Sequence, residues 1–330
     1  MSAKSRKEHK FMPQNGFVDS ADIKATVSPF AMFKGETEVN LFPLYRGAKF
    51  TRAQFAMSEG HITRDEVRIV LHALSVFKHF TNRQFVEMNM LENTLEKITH
   101  KPAVLLERFA KLGILTAYSS SGANLRYYSA GVLAKRMISE DSITVYRDLN
   151  PGTPSISQLK RTLACNQAML SVVRSLGINN LSDVNPMHNH PIKSDDGTPL
   201  VRIPCSFEYD GRFIVITAFR DVSMTSDRDL DTYVSSKLDR FEAAFKSRNL
   251  PKNARSAQFI ILFENNEDLE KYAPGVRKKF ASVVDTYCTT DLDSLNLTKK
   301  MLDAEFTDVY KMGVSKPSFF KRLFSPQFRN

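Results

Sequence analysis

Three groups of side chains in this chain are of the types that chemistry uses. Glu208, Asp210 and Asp221 lie in a short stretch around an Asp210-Gly211 pair. Carboxylates brought together on neighbouring strands can hold a divalent metal, which activates water and stabilises a phosphoryl transition state. His188-x-His190, with Asp195 and Asp196 a few residues on, offers donors of the kind a transition metal takes. Cys165, Cys205 and Cys288 supply thiols. Each group has a plainer explanation. Two of the three acids flank turns, where short polar side chains serve solubility and local hydrogen bonding. The histidine pair has no second ligand cluster at a usable spacing, so a polar loop accounts for it. The thiols are odd in number, far apart and without metal or redox spacing, as expected of a reducing, cytoplasmic compartment. Cys165 falls on the apolar side of its helix. No glycine-rich phosphate cradle exists in the sequence. The expectation is a protein with no catalytic constellation, no metal and no cofactor.

A second set of residues suits recognition rather than catalysis. Lys101, Glu107, Arg108 and Lys111 fall off the apolar face of one periodic segment, with Thr99 and His100 at its start. Asn124 and Arg126 follow in a hairpin, with Ser119, Ser120 and Ser121 as further hydroxyl donors. Apart from Glu107, these types donate hydrogen bonds or positive charge to phosphates and base edges. The distribution of charge also suits a polyanionic partner. The chain carries a net +10, yet residues 141–310 carry −2 while residues 1–60, 61–140 and 311–330 carry +3, +4 and +5. The basic surplus sits in the amino-terminal part and the tail. A charged outer face is also what any solvated helix displays, and Glu107 offsets one cation. Strong binding would therefore need a dimer, the basic arm or a partner.

The elements that position these groups follow from periodicity. Residues 1–60 contain Pro13, Gly16, Pro29, Gly35, Pro43 and Gly47 and no long periodic run. They predict an extended basic arm with a short strand near Val39–Tyr45. Val67, Val70, Leu71, Leu74 and Phe77 recur at helical spacing behind a Thr63 and Glu66 capping box. Thr81-Asn82-Arg83-Gln84 opens a short helix through Met88, and a polar helix or turn follows around Leu91–Ile98. Lys101-Pro102 begins a third helix with Val104, Leu105, Phe109 and Leu112 on its apolar face and Gly113 as its stop. Ile114–Ser119 and Leu125–Ser129 form a hairpin, and Val132–Ser139 is a closing helix.

Asn150-Pro151-Gly152-Thr153-Pro154 is a linker signal, which sets a linker at 141–156 and a second domain at 157–310. That domain reads coarsely as α-β-β-β-α-β-α. Its helix Ser157–Leu176 is followed by a strand near Leu181–Val184 and a polar loop to Pro199. Strands Leu200–Tyr209 and Arg212–Phe219 are joined by the Asp210-Gly211 turn. A helix from Asp227 to about Arg248, a strand Gln258–Phe263 and a helix from Asn266 or Asp268 complete it. The apolar fraction of 42% and charged fraction of 25% are those of a globular chain long enough for two cores. No run of roughly 18 apolar residues exists, so no membrane insertion is expected.

Three helices followed by a hairpin is the layout of a winged helix-turn-helix, here at residues 61–140. The stretch Arg64–Met137 resembles the winged-helix half of the replication-relaxation family, proteins encoded on plasmids and integrative elements. The likeness lies in Thr81-Asn82-Arg83-Gln84-Phe85, in the run from Leu105 through Glu107-Arg108-Phe109 to Leu115, and in Arg126-Tyr127-Tyr128. The resemblance implies a carboxy-terminal half similar to a PD-(D/E)XK nuclease fold, which the α-β-β-β-α-β order from Ser157 to Phe263 fits. The fold class expected is therefore α/β (α+β): a winged helix-turn-helix followed by a nuclease-like domain. In such nucleases the first acid follows a proline on one strand, and a second acid stands with a lysine on the next. Here Cys205 follows Pro204, and Ile214–Asp221 contains no Glu-x-Lys, which implies a scaffold without catalysis.

The last segment, residues 311–330, mixes aromatic anchors with cations. Phe319, Phe320, Leu323 and Phe324, with Lys321 and Arg322, would give a short helix suited to a partner groove or an anionic surface; packing back on its own domain is the equal alternative. Taken together, the expectation is a DNA-binding accessory or regulatory protein of a mobile element, acting in plasmid replication, conjugative transfer or their transcription. Its partners would be double-stranded DNA, a second copy of itself and a replication or transfer protein bound by the tail. Two alternatives stand beside it. One is a metal-dependent endonuclease using Glu208, Asp210 and Asp221; the other is a protein-interaction adaptor that never touches DNA.

Overall fold

The computed structural model describes residues 42–43, 50–119, 126–141, 156–193, 197–209, 211–220, 230–247, 256–291 and 293–294. Asn124 and the hairpin tip, the Asn150–Pro154 segment, Asp195, Asp196, Asp210 and Asp221 lie outside these residues. So does the tail with Phe319, Phe320, Lys321, Arg322, Leu323 and Phe324. The fold is mixed α/β, with helices and two sheets in an α+β arrangement.

The first half runs β1 (Phe42–Pro43), α1 (Phe50–Ser58), α2 (Arg64–Phe77), β2 (His79–Thr81) and α3 (Asn82–Leu91). A 3-10 turn at Leu95–Lys97, α4 (Pro102–Leu112), β3 (Leu115–Ser119), β4 (Arg126–Ala130) and α5 (Ala134–Asp141) follow. Residues 50–58, expected in an extended arm, are helical. Among the core residues of α1 are the small Ala53 and Ala56, too slight an apolar stripe for periodicity to reveal. Two capping boxes start α2 and α3. The Thr63 hydroxyl accepts from the Glu66 N–H at 3.1 Å, and the Glu66 carboxylate accepts from the Thr63 N–H at 2.9 Å. Thr81 and Gln84 repeat the exchange at 3.2 Å in both directions. Pro102 occupies the first turn of α4, where a missing N–H costs nothing, and Gly113 ends it at φ 79°.

The four-strand sheet has the order β1-β3-β4-β2, antiparallel throughout. β2 was not expected: three buried residues are too few to show alternation, and they become a strand only by pairing His79, Phe80 and Thr81 with Ser129, Tyr128 and Tyr127 of β4. Where β4 ends, Gly131 donates its N–H to Ile114 O at 2.8 Å. A Cβ at this position would stand 2.2 Å from Gly113 O, so only glycine fits that close approach.

The second half runs α6 (Ile156–Ser175), a 3-10 turn at Leu181–Val184, β5 (Met187–Lys193), β6 (Pro199–Tyr209) and β7 (Arg212–Ala218). α7 (Leu230–Lys246), β8 (Ser256–Phe263), α8 (Asn266–Phe280) and β9 (Asp285–Thr290) complete it. Two expectations are corrected here. Leu181–Val184 is a 3-10 turn capped by Asn180, not a strand. The first strand instead lies at Met187–Lys193, inside the segment expected as a polar loop. β5 is an edge strand, where Pro191 and half-exposed polar side chains are tolerated and mask the strand pattern. The sheet order is β5-β6-β7-β8-β9, antiparallel from β5 to β7 and parallel from β7 to β9. α7 and α8 supply the two crossovers that parallel neighbours require.

One face of this sheet packs with α7 and α8 around Phe213, Val215, Phe241, Phe259 and Phe280. The other meets α6, and through α6 a single buried cluster continues from Ala53 to Tyr287. Buried amides fasten α6 to the first half. Gln84 donates to Leu163 O at 2.7 Å, and Asn166 donates to both Phe77 O at 3.1 Å and His79 O at 2.8 Å. Gln167 reaches Glu87 at 2.7 Å. Among the described residues no helix is long and apolar enough to cross a membrane.

Candidate nucleic-acid interface and a basic cleft

α4 buries Leu105, Leu106, Phe109, Ala110 and Leu112. Val104, expected on that buried face, is instead 43% exposed. Helical spacing explains the correction: Val104, Arg108 and Lys111 form one stripe, about 100° around the axis from the stripe centred on Leu105 and Phe109. The outward surface of α4 therefore carries Lys101, Val104, Glu107, Arg108 and Lys111. Lys101 and Arg126, the latter at the start of β4, are exposed and hold no ion pair among the described residues. Lys111 pairs with Glu107 at 3.3 Å, one turn away on the same helix.

Thr99, His100 and Arg108 are brought together, but by Glu66. This carboxylate is fully buried at the start of α2. Oε1 accepts from the Thr99 N–H at 3.0 Å and from the Thr99 hydroxyl at 2.8 Å, and it lies 2.9 Å from His100 Nδ1. Arg108 closes the chain of contacts, donating to His61 O at 3.0 Å and standing 2.6 Å from His100 Nε2. Burial pushes the Glu66 carboxyl upward, but hydrogen bonds from Thr63, His100 and Thr99 outweigh it and hold it below the ordinary glutamate range. The network fixes the start of α4 against α2, leaving Lys101, Val104 and Lys111 to face outward. Glu66 was visible in the sequence as a cap; its second role depends on contacts 33 and 34 residues away.

Of the residues weighed for catalysis, those that are described do not converge. Glu208 lies on β6 opposite Phe213. His188 and His190 diverge: His188 Nδ1 lies 3.3 Å from Pro204 O, whereas the His190 ring meets the edge of Phe213. Burial lowers the His190 pKa, opposed by the Glu208 charge. Cys165 and Cys205 are buried between α6 and the sheet, against Ile216 O and Met169 Sδ, and burial raises the Cys165 thiol. All three cysteines are free thiols. Among the described residues no group of three or more His, Cys, Asp or Glu could hold a metal ion.

Near Pro204 the sheet opens. β6 is paired with β7 only as far as Cys205 and Ile216, and Pro204, next along β6, has no N–H to extend the ladder. The space between the diverging strands, α6 and α7 is a cleft of about 590 Å³. Lys78, Arg161, Arg202, Lys237 and His188 line it, and no carboxylate does among its described lining residues. None of these four cations was singled out in the sequence. Lys237 left one trace, a lysine at helical spacing between Tyr233 and Phe241; its proximity to Arg161 exists only in the fold.

No family model, curated protein or solved structure matches this chain.

Proposed function

We propose that this protein is a non-catalytic DNA-binding accessory or regulatory protein, with α4 as its duplex-contacting helix. The observation that carries this is the disposition of α4. The order α2-β2-α3-α4-β3-β4, with β2 paired to β4, supports a winged helix-turn-helix. In that layout the third helix enters the major groove and the hairpin lies along the adjacent backbone. Lys101 and Lys111 are the phosphate contacts, Val104 suits a thymine methyl group, and Arg126 reaches the backbone from the hairpin. The order α6-β5-β6-β7-α7-β8 supports the likeness to a nuclease scaffold. Cations near Pro204 and the sheet opening favour a scaffold that does not cut. A mobile-element role and recruitment by the tail belong to the same proposal and draw on the family resemblance.

Fluorescence anisotropy of the full chain against a labelled random-sequence duplex tests it, across a salt series with and without magnesium. Binding should weaken linearly in log–log form as salt rises, and the DNA should remain intact. Lys101→Glu should weaken binding about tenfold and flatten the salt slope by about one unit, the signature of a lost phosphate contact. An unaltered titration for both Lys101→Glu and Arg126→Glu would remove α4 and the hairpin from the interface. Cut DNA would overturn the non-catalytic assignment.

A further inference from the structure

The basic cleft is built from elements other than the α4 face, and three features set it apart from a packing gap. The first is its lining. Arg161 and Thr162 come from α6, Arg202 from β6, Lys237 and Tyr233 from α7, and Lys78 from the junction of α2 and β2. Four cations converge on a space of about 590 Å³, a volume within the range of small-ligand sites. Arg161 also donates to the Tyr233 hydroxyl at 2.5 Å and lies over its ring, 5.9 Å from the centroid.

The second feature is electrostatic. Lys237 is half-buried, and burial first, then the Arg161 and Arg240 charges, holds its ammonium below the ordinary lysine range. A lysine pKa depressed on folding means that the charged side chain opposes folding. Stability should rise as pH climbs from the depressed value towards the unfolded one. An apolar side chain would fill the same space without that penalty.

The third feature is conformational. Lys78 has φ 61° and ψ −51°, close to the rare γ-turn conformation, which strains a side-chain-bearing residue. The kink is held from both sides by Asn166, whose amide donates to the carbonyls of Phe77 and His79. The fold thus maintains a lysine, at conformational cost, at the rim of a cleft already rich in cations.

We propose that this cleft binds a phosphate group of nucleotide chemistry, carried by a free nucleotide or by a nucleic-acid strand. Arg161 and Arg202 suit paired contacts to phosphate oxygens. Lys78 and Lys237 add charge, the Thr162 hydroxyl donates a hydrogen bond, and Tyr233 offers a ring for a base. Asn166 is a positioning residue, acting through Lys78. The inference does not depend on duplex contact by α4.

The full-length protein is titrated calorimetrically, at constant ionic strength, with pyrophosphate, ATP and a short 5′-phosphorylated oligothymidine. At least one should bind saturably, and Arg202→Gln and Lys237→Met should each weaken it about tenfold. Tighter binding of the strand than of ATP assigns the site to nucleic acid, and the reverse assigns it to a free nucleotide. Affinity should fall as pH rises through the depressed Lys237 pKa, and Lys237→Met should remove that dependence. Unliganded Lys237→Met should also melt higher than the parent protein, an effect that a merely structural lysine would not give. Should charge removal disturb the fold, Thr162→Glu places a carboxylate at a half-exposed position and should abolish binding by repulsion. Pyrophosphate binding by Lys101→Glu reads the cleft without the α4 face, so failure of duplex contact and failure of the cleft are separate results. No saturable binding of any of the three probes, or equal affinities in the parent and all cleft variants, overturns the proposal.

Discussion

Glu66 ties the starts of two helices, α2 and α4, to one carboxylate. Its carboxylate closes the capping box of α2 and accepts from Thr99 and His100 at the start of α4, with no exposure to solvent. Glu66→Ala would remove the charged acceptor of the Thr63 and Thr99 N–H groups and of the Thr99 hydroxyl. Each hydrogen bond to a charged group is worth about 1.5–3 kcal/mol, less what water restores at the half-exposed Thr63 and exposed Thr99. A loss of about 2–4 kcal/mol in urea denaturation is expected. The pH dependence follows from the direction of its shift. Because the folded pKa lies below the unfolded one, the stabilisation is complete above the ordinary glutamate value and is lost as pH falls through the folded value. Glu66→Gln should therefore be less stable at neutral pH and show a shallower acid limb than the parent. An acid limb of unchanged slope would mean that other carboxylates control it.

At the level of elements, the register of the first sheet depends on a contact with no room in it. Gly131 passes so close to Gly113 that a methyl group would overlap the carbonyl at 2.2 Å. That carbonyl also accepts from the Leu133 N–H at 3.1 Å. Gly131→Ala must displace the end of α4 or of β4, with an expected loss of about 1–3 kcal/mol. Thermal unfolding measures the loss, and duplex anisotropy measures any displacement of the outward face of α4. A variant as stable as the parent would show that this junction relaxes easily. β6 illustrates the opposite device. Its pairing with β7 stops beside Pro204, and the interruption of a ladder creates the cleft.

On the scale of the whole molecule, α6 is shared. It packs on the five-strand sheet, while Leu163 O and Asn166 meet groups from α2, β2 and α3. The interface combines apolar burial with buried amides whose partners are backbone carbonyls, so separating the halves would leave polar groups unsatisfied. Unfolding in urea should be one cooperative transition, coincident by far-UV circular dichroism and by tyrosine fluorescence, the chain having 10 Tyr and no Trp. Asn166→Leu should shift both signals together to lower urea. Two separated transitions would show that the halves fold independently.

Signals carried within one or two turns of chain were legible beforehand. Thr63 with Glu66, Thr81 with Gln84, Pro102 and Gly113 mark helix ends because their hydrogen bonds and backbone angles are local. The long α6 and α7 and the apolar β7 and β8 were visible by periodicity or apolar content. The short β2 and the polar edge strand β5 escaped, since pairing with a distant strand is what makes them strands. The same limit governs the sites. Lys101, Arg108, Lys111 and Arg126 stood out as cations on a patterned helix and hairpin. The sequence could not say that Arg108 would turn to His100 and His61, or that Val104 would face outward. Lys78, Arg161, Arg202 and Lys237 are separated by as much as half the chain, and each is unremarkable among its neighbours in sequence. Only tertiary packing, by kinking the chain at Lys78 and parting β6 from β7, brings those four charges around one cleft.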